Sequence, residues 1–401
     1  MNYTELVQTI ENKRRFEKEY GADITARLLK EAGIEEEQAP FIHVAGTNGK
    51  GSVIAMVDSI LRQAEFKVGR FTSPHLETFR ERIVVDGKMI SEEDVVRLGE
   101  KVLSLPSAQS ATMFDISLMI AVFYFIEQEC DFWLIETGLG GLHDSTNALG
   151  TPIISVITSI GLDHEAYLGN TLEEIATQKA GIIKEDSVCI TGPQDEAVLK
   201  VLQDTCDEKD VYLIEMEPID DDDFELKLLG EYQKENAGIA IGIINVLVDI
   251  GVKILPSDME TGFKKAVWPG RMQRVKSGPD VILDGAHNIP GMKALAESVK
   301  KMYGTQKVHF GMAFSNDKAI EEIISLVKDV AADIVFTKAN SDRAKEPKEL
   351  VEIAEKLGIP ASFEEDAKAS TVAVKKHQTD NKPAVYTGSL YYIGELLKEF
   401  K

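Results

Sequence analysis

The sequence predicts an α/β protein of two domains. The N-terminal domain has a parallel sheet carrying a phosphate-binding loop, and the C-terminal α/β domain is smaller. Three observations predict this. Apolar strands alternate with helix-period segments from residue 41 onward, a glycine-rich loop joins the first such strand to the first such helix, and the alternation restarts after Trp268. Trp268-Pro269-Gly270 sets a rigid residue beside a flexible one, so the boundary falls there, giving domains 1–268 and 269–401.

FIHVAG (41–46) is an apolar strand, and 52–64 shows helical spacing at Val53, Met56, Val57, Ile60 and Leu61. The apolar stretch around 116–126 is too short to span a bilayer and reads as a buried helix. FWLIETG (132–138) and IISVITSIG (153–161) are further apolar strands ending in glycine-containing turns, and a long helix is expected over 233–248. After Trp268, strands VILDGA, KVHFGMA, ADIVFTKA, a weak SFEE and PAVYTGS alternate with helices near 291–303, 317–330, 347–357, 367–378 and 390–399. Such alternation argues parallel sheets covered by helices.

The chain has 401 residues, 44% of them apolar, enough for a hydrophobic core without staples. Lys and Arg total 44 against 67 Asp and Glu, a formal charge of −23. So acidic a chain is a poor binder of nucleic acid or anionic membrane, and neither is expected as a partner. The N-terminus is mixed and charged, unlike a signal peptide, and Cys130, Cys189 and Cys206 lie far apart without metal-binding spacing. Both features fit a reducing cytoplasm. The acidic run 220–223 reads as a solvated loop.

HVAGTNGKGS (43–52) follows an apolar strand and opens a helix. Gly46, Gly49 and Gly51 let backbone N–H groups turn toward an anion, with Thr47 and Asn48 between them. Lys50 supplies a point charge, the helix N-terminus adds its dipole, and Ser52 offers a hydroxyl near phosphates or their metal. The spacing is GxxGKGS rather than GxxxxGK[ST], and the loop alone points to a nucleoside triphosphate without saying what becomes of it. Glu136 and His164 end apolar strands, where α/β proteins place ligands. By sequence alone Glu136 could be an exposed strand-end acid, His164 a surface histidine, and Ser73 a turn or cap residue before Pro74. Lys179 reads as a helix-surface lysine. Arg271 reads as a linker arginine, and Asp284 or Asn288 as a helix cap.

HVAGTNGKGS, FTSPHLETFRERI (71–83), ETGLGG…DSTN (136–147), SIGLDHEAYLGNTLEEIATQKAGIIK (159–184), WPGRMQ (268–273), ILDGAHN (282–288) and TGSLYYIGELL (387–397) occur in one order. Together they resemble the folylpolyglutamate synthase/dihydrofolate synthase family of Mur-ligase-type amide ligases. The resemblance implies an N-terminal P-loop domain and a Rossmann-like C-terminal domain that closes over ATP. It also implies an activity, in which ATP phosphorylates the carboxylate of a folate or pteroate and L-glutamate displaces the phosphate.

By the same resemblance, Ser73, Glu136, His164 and Lys179 would serve Mg²⁺, two ions being expected, with Lys179 carbamylated and a monovalent cation as a further cofactor. Lys50, Glu136, His164 and Lys179 would be catalytic. The loop residues 46–52, Asn236, Arg271, Asp284 and His287 would contact ATP, and Thr112, Phe114 and Asp144 the acceptor. A cytoplasmic monomer is expected. Departures from the family pattern are Leu142 for arginine, His143 for an apolar residue, Asp115 for glutamate in the TxFE segment, and Tyr232 for histidine. The alternatives are another Mur-type amide ligase and a catalytically silent nucleotide-binding regulator. The presence of Lys50, Glu136, His164, Lys179 and Arg271 disfavours the second.

Overall fold

The computed structural model describes residues 1–13, 21–34, 39–316, 319–341, 343–377 and 381–400. Residues 317, 318 and 378 of the expected helices lie outside these. The chain divides into two compact units, Met1–Lys227 with Lys234–Ala266, and Leu228–Gln233 with Val267–Lys401.

The first unit is built on eight strands: β1 (Phe41–Ala45), β2 (Val68–Phe71), β3 (Ile83–Val85), β4 (Lys88–Met89), β5 (Phe132–Glu136), β6 (Ile154–Ile157), β7 (Val188–Thr191) and β8 (Tyr212–Glu215). Their order is β4-β3-β2-β5-β1-β6-β7-β8. From β2 to β8 in that order the strands run parallel, and β3 and β4 form an antiparallel edge. The segments after β1, β2, β5 and β6 therefore leave the sheet at the same edge. β1 lies between β5 and β6, the arrangement that opens a crevice beyond the strand ends.

The helix expected over 52–64 spans Lys50–Gln63 and starts directly after Gly49, a left-handed N-cap. The apolar stretch around 116–126 lies in helix Met113–Glu127, buried over most of its length. Among the described residues no helix is long and apolar enough to cross a membrane. Two helices precede β1, Tyr3–Glu11 and Gly21–Glu31; their Leu6, Ile10, Ile24 and Leu28 share one core with Leu98, Ile116 and Ile120.

A buried carboxylate ties this region together. Asp115 caps its own helix through Thr112, accepting from the Thr112 backbone N and Oγ1, both at 2.7 Å. It also accepts from Thr25 Oγ1 at 3.0 Å and Ser145 Oγ at 2.5 Å. Three segments distant in sequence thus meet on one side chain.

The second unit holds six strands: β9 (Gln273–Lys276), β10 (Val281–Leu283), β11 (Val308–Met312), β12 (Ala331–Phe336), β13 (Ala361–Phe363) and β14 (Ala384–Thr387). They are ordered β13-β12-β11-β14-β10-β9. The five strands expected from sequence pair in parallel, and β9 adds an antiparallel edge.

Replacing Asp115 by alanine leaves the buried hydroxyls of Thr25 and Ser145 without this acceptor. The expected cost is about 3 kcal/mol of stability in denaturant unfolding. A loss within the error of a surface substitution would show that the carboxylate does not hold these segments.

Candidate active site

The glycine-rich loop has a conformation that only glycine fits comfortably. Gly46 has φ +153° and Gly49 φ +93°. A Cβ on Gly46 would meet Thr158 Oγ1 at 1.8 Å, and one on Gly49 would meet Asn236 Oδ1 at 2.5 Å. Asn236 therefore stands against the glycine-rich loop. Thr47 is pinned by β6's following loop: its backbone N donates to Ser159 O at 2.8 Å and its Oγ1 to Gly161 O at 3.0 Å. Ser52 is buried in the first turn of the helix.

Two lysines converge on one oxygen. Lys50 Nζ and Lys179 Nζ each donate to the Gly46 carbonyl at 2.9 Å, and Lys50 also reaches Thr47 O at 3.4 Å. The bare-sequence reading of Lys179 as a helix-surface residue is corrected here. It lies in the last turn of helix Leu172–Ala180, whose Ala176 and Ala180 pack into a core, and it is only 4% exposed. Burial foremost, then the charge of Lys50, pushes the Lys179 pKa down to about 7, with Asp163 opposing.

Glu136 stands beside this pair, 4% exposed at the end of β5. Its Oε1 lies 3.9 Å from Lys50 Nζ, and its Oε2 accepts from the Ser73 backbone N at 2.9 Å. Ser73, Lys50, Glu136 and Lys179 are thus brought together around the phosphate loop. His164 is exposed, left-handed at φ 54°, and its backbone N donates to Asp163 Oδ1 at 2.9 Å. Among the described residues no three His, Cys, Asp or Glu side chains cluster to hold a metal.

Phe114 packs against the turn after β5, where a Cβ on Gly138 would meet its ring at 2.7 Å. Asp144 is buried, and its oxygens accept from Gly138 N, Leu139 N, Thr146 N and Thr146 Oγ1. Thr112 is a buried N-cap. Thr112 and Asp144, expected at the acceptor, are thus employed in holding loops. Leu142 is exposed, its backbone N bound to Gln178 O at 2.7 Å.

In the second unit, Arg271 lies against Gly285: a Cβ there would meet Arg271 Nη1 at 2.1 Å. Asp284 is buried and accepts from Met272 N at 2.8 Å, Ala286 N at 2.8 Å and Tyr232 Oη at 3.0 Å. Burial raises its pKa, with Arg271 the main opposing influence. His287 Nδ1 lies 2.8 Å from the Gly285 carbonyl and so carries its proton on that nitrogen. The cap of helix Ile289–Tyr303 is Asn288, not Asp284. Tyr232 spends its hydroxyl on Asp284.

Residues 44–214 match the Mur ligase middle domain, and residues 270–390 match the Mur ligase glutamate ligase domain. A protein of Bacillus subtilis (strain 168), named dihydrofolate synthase/folylpolyglutamate synthase, is 33% identical over 100% of this chain and 99% of its own length. The chain belongs to the folylpolyglutamate synthase/dihydrofolate synthase family. Among solved structures of that family, the Mycobacterium tuberculosis folylpolyglutamate synthase complexed with ADP superposes with a TM-score of 0.91 at 26% identity, covering 99% of this chain and 98% of that one. E. coli FolC in complex with DHPP and ADP also gives 0.91, at 25% identity, covering 100% and 97%.

His43 and Thr158 stand beside the loop without a spacing signal of their own. A histidine inside an otherwise apolar strand and a threonine at a strand end were the available signals.

Lys50→Ala should fold, because the side chain lies over the loop rather than in the core. The expected loss is about 2–4 kcal/mol of transition-state stabilisation, read as kcat/KM for ATP. Near-parental turnover in the folded variant would remove Lys50 from the phosphate site.

Proposed function

We propose that the chain is an ATP-dependent ligase that joins L-glutamate to the carboxylate of a folate. The observation that carries this reading is the convergence of Lys50, Lys179, Glu136 and Ser73 around a glycine-rich loop, in a chain of this family. A carboxylate is a poor electrophile because an oxide would have to leave. Transfer of the ATP γ-phosphoryl group turns it into an acyl phosphate, and the glutamate amine then expels phosphate.

The loop residues 46–52 bind and orient the phosphates through backbone N–H groups, the helix dipole and Lys50. Asn236 borders the loop from the long helix Tyr232–Asp249. Mg²⁺, when bound, neutralises the γ-phosphate beside the acceptor carboxylate, two anions that otherwise repel. Glu136, held in place by the Ser73 N–H, is the residue best placed to hold it, with Ser73 and His164 as further donors. Arg271, Asp284 and His287 form the nucleotide-contacting group of the second unit. The acceptor proposed is tetrahydrofolate or a polyglutamylated form, with dihydropteroate a second acceptor. A monovalent cation, a monomeric state and a cytoplasmic location complete the reading.

Lys179 is proposed to be carbamylated. Its amine is buried and sits beside another cation, so the neutral form that adds CO₂ is accessible near pH 7. The product is an oxygen-donor anion, which suits a hard cation and pairs with Lys50 rather than repelling it.

Phosphate release with ATP, Mg²⁺ and L-glutamate, measured against each acceptor in turn, tests the activity. Release should require both acceptor and glutamate, and release independent of the acceptor would contradict a ligase. For Lys179, growth in ¹³C-bicarbonate should yield a carbamate signal that fades as pH falls through about 7, where the amine takes up a proton. Lys179→Arg should lack the signal and the activity. A fully active enzyme without a carbamate signal would refute the modification and leave the ligase standing.

A further inference from the structure

His43 stands on β1, three residues before Gly46, and is buried with Thr146 and Asp144. Its Nε2 lies 2.7 Å from Thr146 Oγ1. A hydroxyl has one proton, and Thr146 places it on Asp144 Oδ1 at 2.6 Å. The Thr146 oxygen can therefore only accept from His43, which fixes the imidazole proton on Nε2. Burial, with the charge of Lys184 as a lesser cause, holds the His43 pKa down to about 3, so the ring is neutral at any working pH.

Asp144 passes the connection on. Its Oδ1 also accepts from Thr146 N at 3.0 Å, and its Oδ2 accepts from Gly138 N at 2.9 Å and Leu139 N at 2.8 Å. Burial raises the Asp144 pKa against the lesser opposing pull of these hydrogen bonds, which satisfy its oxygens as acceptors. Gly138 is the second residue after Glu136. β1 and β5 are paired neighbours, with His43 opposite Ile135 and Thr137 N donating to Val44 O at 3.0 Å. The three side chains thus run from the strand that bears the phosphate loop to the turn that follows Glu136.

A histidine, a hydroxyl and a carboxylate in contact suggest an acyl-transfer triad, but the order excludes it. The hydroxyl lies between the other two and is fully buried, so it meets no substrate.

We propose that His43 and Thr146 are positioning residues that hold, through Asp144, the turn after β5 so that Glu136 is aimed at the divalent metal. The proposal rests on the reading of Glu136 as a metal ligand. Groups that orient a metal ligand from behind are worth about 10-fold to 100-fold in metal affinity.

The test is Mn²⁺ binding to the enzyme with ADP, followed by electron paramagnetic resonance, beside ADP binding without metal. Thr146→Val removes the hydroxyl at nearly constant shape, and should weaken Mn²⁺ binding about 10-fold or more with metal-free ADP affinity unchanged. Thr146→Ser, which keeps the hydroxyl, should restore it. Equal Mn²⁺ affinity in Thr146→Val and the parent, in a protein where Glu136→Gln loses Mn²⁺, would overturn the relay alone. Undiminished Mn²⁺ binding in Glu136→Gln would overturn the metal reading beneath it. A measurement on the parent enzyme needs no variant: the ¹⁵N shifts of His43 should report the Nε2–H tautomer between pH 5 and 8, and the Nδ1–H tautomer would overturn the proposal.

Discussion

The site depends on one carbonyl oxygen. Gly46 O accepts from the ammonium groups of Lys50 and Lys179, and this double acceptance places two cations side by side next to a buried carboxylate. It requires the Gly46 backbone at φ +153° and Thr158 packed where a side chain would otherwise stand. Burial foremost, then the neighbouring charge of Lys50, pushes the Lys179 pKa down to about 7. The two lysines on that oxygen differ in setting, Lys50 at the start of its helix and Lys179 buried in the last turn of another.

Topology brings the neighbouring segments to the same edge of the sheet. β1 sits between β5 and β6, and β2 joins β5 in parallel, so the phosphate loop, Ser73, Glu136 and the His164 segment all leave the sheet at one edge. Behind that edge, buried hydrogen bonds brace the loops. Asp144 holds the turn after Glu136, and Asp115 holds the neighbouring Ser145. A buried polar network of this kind is stabilising only when its members are satisfied, and each of these two carboxylates accepts four hydrogen bonds.

The sequence was legible where a residue's role is local. The alternation of apolar strands and helices, the glycine loop and the strand-end position of Glu136 follow from spacing, and the structure has them where that spacing puts them. Lys179 was not legible from spacing, because a lysine in the last turn of a helix is normally solvated. Its burial depends on a tertiary contact with Gly46, 133 residues away. His43 and Asp115 were hidden for the same reason, since their partners Thr146, Thr25 and Ser145 come from distant segments. The helices before β1 were missed because their apolar faces are short and interleaved with charge.

The central claim is that ATP activates the acceptor carboxylate itself. The direct measurement uses a folate acceptor whose reacting carboxylate carries ¹⁸O at both oxygens, with mass spectrometry of the inorganic phosphate released in the presence of L-glutamate. An acyl phosphate places one carboxylate oxygen in the leaving group, so the account predicts one ¹⁸O atom in each phosphate formed. Phosphate free of ¹⁸O, released in step with amide formation, would contradict it.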